Sequence, residues 1–146
     1  FLTIHGHDRK TLAAAAKGRG SSQLKILAVT VLTSLDANDL AEQGASMAPA
    51  DLVLHRARMA HEAGIDGVIA SGQEAARVRA ATSPDFLIVT PGIRLPGGDA
   101  GDHTRITTPQ QALRDGANHL VVGRPINAAP DPVAAARTFL EQIAAA

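Results

Sequence analysis

The sequence predicts an α/β fold built on a parallel sheet, and three observations predict it. Five short aliphatic runs recur along the chain, at residues 1–4, 26–32, 68–70, 86–90 and 120–122. None alternates cleanly between apolar and polar residues, which is the pattern of strands covered on both faces. Helix start and stop signals stand between the runs, so strand and helix take turns five times.

The elements follow in order. The chain opens Phe1-Leu2-Thr3-Ile4, with no methionine, no charged n-region and no leader pattern. It reads as starting within a buried strand, so we expect an N-terminal part to be missing. Asp8 caps a helix that reaches about Lys17 and stops at Gly18. Residues 26–32 give the second strand. Leu52, Ala57, Ala60 and Ala63 recur at helical spacing, and Gly64 closes that helix. After the third strand, Ser71-Gly72-Gln73-Glu74 has the capping-box pattern. After the fourth, Thr108-Pro109 starts a helix and Gly116 ends it. Asp131-Pro132 repeats that start signal for a last helix running to the C-terminus.

Composition bounds the function. The chain has 146 residues, with 14 Lys+Arg against 14 Asp+Glu. That length suits one domain, residues 1–146. A zero net charge leaves no electrostatic footprint for nucleic acid or an anionic membrane. Aromatic residues are 2% of the chain, too few for a base-stacking platform. Cysteine is absent, which removes disulfides, thiolate zinc sites and thiol nucleophiles and fits a cytoplasmic location. No run approaches the ~20 apolar residues of a membrane span.

Two parallel architectures accept five βα repeats: a doubly wound open sheet, and the later part of a (β/α)₈ TIM barrel. The start in mid-strand favours a partial barrel lacking its first three βα units. Both architectures bind ligands beyond the carboxyl ends of the strands. Two consecutive ends carry an arginine preceded by glycine: Pro91-Gly92-Ile93-Arg94 and Gly123-Arg124-Pro125-Ile126. Glycine lets backbone approach an anion, and a guanidinium offers a planar fork of donors matched to phosphate. The bland alternative is surface pairing of Arg94 and Arg124 with Asp99, Asp102 or Glu141. Residues 95–107, rich in glycine, read as a lid over the phosphate, with His103 and Arg105 reaching the ligand on closure.

Other chemistry finds little support. His5-Gly6-His7 could share a metal, but the other strand ends offer Thr33, Ser71, Pro91 and Gly123, none a ligand of choice. No metal site is expected. Neither a Gly-x-Ser-x-Gly elbow nor a phosphate-cradling glycine motif follows a strand. Lys10, Lys17 and Lys25 lie away from the strand ends that would hold chemistry.

Three segments together resemble one family, orotidine 5'-phosphate decarboxylase. They are Leu27-Ala28-Val29-Thr30-Val31-Leu32-Thr33-Ser34, Val89-Thr90-Pro91-Gly92-Ile93-Arg94 and Val121-Val122-Gly123-Arg124-Pro125-Ile126. Gly64-Ile65-Asp66-Gly67-Val68, Thr108-Pro109 and Asp131-Pro132 agree in order and spacing. The resemblance implies a TIM barrel converting the nucleotide orotidine 5'-monophosphate to UMP and CO₂ in pyrimidine synthesis, without a cofactor, as a homodimer. It implies that Thr33 contacts the pyrimidine and Pro91 lines its pocket, while Arg94, Arg124 and the Gly123 backbone hold the phosphate. His103 stands where the family has a phosphate-binding glutamine. The family's Asp-x-Lys-x-x-Asp run is absent, so no catalytic residue is expected in this chain and no turnover from it alone. A related sugar-phosphate barrel of the hexulose-phosphate synthase type, or a non-enzymatic phosphate- or nucleotide-binding α/β module, are the alternatives.

Overall fold

A computed structural model describes residues 1–98, 101–102 and 104–146. Its elements are β1 (Leu2–His5), α1 (Arg9–Arg19), β2 (Ile26–Val29), α2 (Ala37–Glu42), α3 (Pro49–Glu62), β3 (Gly67–Ile69), α4 (Ala75–Ala81), β4 (Leu87–Thr90), α5 (Pro109–Arg114), β5 (His119–Leu120), α6 (Arg124–Asn127) and α7 (Pro132–Ala144).

Local chemistry explains most starts. The Asp8 side chain accepts from the Thr11 N–H, Thr108 from Gln111, and Asp131 from Val133 and Ala134. Each satisfies donors that a helix leaves unpaired at its N-terminus. Two starts differ from expectation. Asp36 and Asp39 form a reciprocal capping box that begins α2, a short helix absent from the predicted elements. At α4 the expected capping box does not form. Ser71 Oγ accepts from the Gln73 N–H, but the Glu74 side chain makes no capping bond. Helix α1 also runs past Gly18 and is closed at Gly20, with φ +54°.

The five strands are all parallel and lie in the order β1-β2-β3-β4-β5. A doubly wound sheet reverses direction at a switch point; this order has no reversal and is that of a barrel wall. Ala28, Val68 and Ile88 share one register row, and all three are fully buried against the helices. The opposite face carries the row His5, Val29, Ile69, Val89 and His119. The sheet is curved enough that Phe1, preceding one edge strand, meets His119 on the other edge, with ring centroids 5.2 Å apart.

At the amino-terminal ends of the strands, Asp66 ties three elements together. Its carboxylate accepts from the Ile26 N–H at 2.9 Å and from Arg19 and Lys25. Burial pushes this carboxyl's pKa up, but the Ile26 bond and the two cations outweigh it and hold it below its usual value.

Candidate anion-binding site

From β4 the chain turns through Pro91 and Gly92 to Arg94; from β5 it runs to Arg124, the first residue of α6. Both arginines line one cavity of about 460 Å³, with Leu95, Gly98, Gly101, Pro125 and Ala128. Adjacent parallel strands put equivalent ends side by side, which is why two side chains 30 positions apart in sequence meet here.

The two arginines are held differently. Arg94 is only 7% exposed. Its backbone N–H donates to the Thr107 carbonyl at 2.9 Å, and its Nη1 donates to the Ile93 carbonyl at 2.9 Å. Arg124 is about half exposed and donates through Nη2 to the Asp102 carboxylate. That is one of the surface pairings weighed as the bland alternative. It also shows the guanidinium turned toward an oxyanion at the cavity wall.

Thr33, Pro91 and Gly123 are not among the lining residues. Thr33 is buried, and its carbonyl accepts from the Thr104 N–H at 3.0 Å and from Thr104 Oγ1 at 3.1 Å. Gly123 is exposed with φ −104°, and a Cβ there would touch nothing within 4 Å. Gly92 is glycine for a local reason rather than for an anion. Its φ is +73°, and a Cβ would stand 2.8 Å from the Arg105 carbonyl oxygen. His103 lies outside the described residues, as do Asp99 and Ala100.

The expectation for Arg105 is corrected. It is 8% exposed and turned inward, away from any role of reaching over a ligand. Its Nη2 donates to the carbonyls of Val31 and Leu32, and its Nη1 pairs with Glu74 Oε1 at 3.2 Å. The residue expected to complete a helix cap is thus the buried counter-ion of an arginine 31 positions away. A buried guanidinium needs such a partner, and that need outweighs a cap on a seven-residue helix. No local pattern marks this pair. The stretch 95–107 is therefore not uniform, because 104–107 is strapped to the ends of β2, β3 and β4.

His5 and His7 lie with ring centroids 5.2 Å apart. Burial, then the Arg56 and His5 charges, lower the His7 pKa below its usual value. Among the described residues, no group of three or more His, Cys, Asp or Glu side chains could hold a metal ion. No described helix is long and apolar enough to cross a membrane.

Residues 1–139 match the profile of the Orotidine 5'-phosphate decarboxylase / HUMPS family. The chain belongs to that family. It is 52% identical over 146 residues to an orotidine 5'-phosphate decarboxylase of Rhodopseudomonas palustris, covering all of this chain and 61% of that protein. It is 53% identical over 149 residues to one from Methylobacterium, covering all of this chain and 63% of that protein. The crystal structure of orotidine 5'-phosphate decarboxylase from Lactobacillus acidophilus matches 97% of this chain and 62% of its own, at TM-score 0.78 and 37% identity. The chain thus spans about three-fifths of the length of the family members it matches, and its curved parallel sheet corresponds to part of their barrels.

Proposed function

We propose that the intact protein decarboxylates orotidine 5'-monophosphate to UMP, and that this chain supplies its phosphate- and base-binding side. The single observation carrying this reading is the convergence of Arg94 and Arg124 on one cavity at the carboxyl ends of adjacent strands. A phosphate there would accept charge-assisted hydrogen bonds from both guanidinium groups and from the exposed backbone at Gly123. Thr33 and Pro91, at the ends of the neighbouring strands, would face the pyrimidine, and His103 would add a phosphate contact. Residues 1–146 act as one domain in this reading.

Expelling CO₂ leaves an anion on a ring carbon, which a nearby ammonium stabilises where the charge develops. The three lysines of this chain lie away from the cavity wall, so the chain's own part is binding. The phosphate is remote from the reacting carbon, yet its binding energy lowers the barrier when it fixes the base in place. The proposed enzyme needs no cofactor and works as a cytoplasmic homodimer.

The test is a spectrophotometric assay of orotidine 5'-monophosphate consumption by the intact protein. Arg94→Ala should lower kcat/KM for the nucleotide by at least about 2 kcal/mol of transition-state stabilisation, roughly 30-fold. It should leave the reaction of orotidine, which lacks the phosphate, unchanged. Equal losses for both substrates would remove the phosphate reading.

A further inference from the structure

We infer that Arg105, paired with Glu74, is a positioning residue that couples the base side of the proposed site to its phosphate side. The inference rests on the phosphate site proposed above.

The segment 104–107 does not line the cavity, yet it is fastened at every residue. Thr104 donates twice to the Thr33 carbonyl. Arg105 holds the two carbonyls just before Thr33, those of Val31 and Leu32. The carbonyl of Ile106 accepts from Gln73 Nε2 at 3.2 Å. Thr107 donates to Gly92 and accepts from Arg94, forming an isolated parallel bridge with Ile93. One short segment therefore sets the backbone at both Thr33 and Arg94, and the guanidinium of Arg105 is its deepest anchor.

The pair is a poor source of stability. Glu74 Oε2 and Arg105 Nε are both buried without a hydrogen-bond partner, and the charges meet through a single contact of 3.2 Å. Desolvating two ions for one such bond gains little, and a pair of this kind exchanged for apolar residues of similar volume is often neutral or stabilising. What the guanidinium supplies that an apolar side chain cannot is direction. Its donors fix the carbonyls at the end of β2 relative to the start of α4, and with them the spacing between Thr33 and Arg94.

This separates geometry from stability, and the experiment uses that separation. The intact protein is titrated with UMP and with uridine by calorimetry, and the ratio of the two dissociation constants measures the phosphate's contribution. Thermal unfolding is followed in parallel. The double variant Glu74→Leu/Arg105→Met should keep its Tm within a few degrees. It should lose at least about tenfold of the UMP preference, the worth of one misplaced charge-assisted hydrogen bond. Should that variant fail to fold, Glu74→Gln, which keeps size and an acceptor, should cost about threefold or more of the same preference. A stable double variant, or Glu74→Gln, with an undiminished UMP preference overturns the positioning role. A wild-type protein that binds UMP no tighter than uridine overturns the phosphate site itself, and this inference with it.

Discussion

The ion pair between Arg124 and Asp102 makes the proposed site self-competing, and its size can be worked out. The two side chains are 54% and 65% exposed, so solvent screens their attraction to about 0.2–1 kcal/mol. A phosphate accepting from the same guanidinium gains about 1.5–3 kcal/mol from charge-assisted hydrogen bonds. The phosphate therefore wins, but by less than it would against a vacant guanidinium. Asp102→Asn removes the competing charge and should tighten UMP binding by up to about fivefold. Arg124→Ala should weaken it by about 30-fold, since about 2 kcal/mol is lost. If the gain acts through Arg124, it vanishes when Asp102→Asn is added to Arg124→Ala. Calorimetric titration with UMP at low and at physiological salt reads all four corners of the cycle, and the Asp102→Asn gain should shrink as salt rises. A weakening of UMP binding by Asp102→Asn would refute the reasoning, because it would make Asp102 a helper of the ligand rather than its rival.

Two further outcomes are expected. Gly92→Ala forces a Cβ to 2.8 Å from a backbone oxygen at a φ of +73°, and should destabilise the protein by at least about 2 kcal/mol in urea unfolding. The Asp66 carboxyl has a folded-state pKa below its usual value of 3.8. Its contribution to stability is therefore present above that value and is lost as pH falls through the lower, folded value. Urea midpoints of wild type should decline in that acidic window, and those of Asp66→Asn should decline less. Parallel declines for the two proteins would contradict the assignment.

What the sequence revealed depended on range. The caps at Asp8, Thr108 and Asp131 act over three residues or fewer, so residue type and spacing announce them. The meeting of Arg94 and Arg124 was legible because parallel strands deliver equivalent ends to one rim. Strand ends were less so. Residues 26–32 form one apolar run, but the β2 ladder stops at Val29, and Val31 is buried in the helix-side core without pairing. Hydrophobicity does not mark where a ladder ends: Val31 is buried beyond it, and Leu32, the last of the run, is exposed. Arg105 and Glu74 could not be read at all. Each had a plausible local role, as ligand contact and as helix cap, and only tertiary proximity joins them.

The bridge between Ile93 and Thr107 has a consequence for how this rim can change. It brings the two feet of the intervening stretch together and holds them with the Arg94–Thr107 bond. Closing that span is thus already secured at its base by this bridge, outside the five strands. Doubling the length of the tip would cost only about 0.6 kcal/mol of extra closure entropy. The sequence between Leu95 and Thr104 can accordingly lengthen, shorten or change, and so retune what the site grips, while the strands stay as they are.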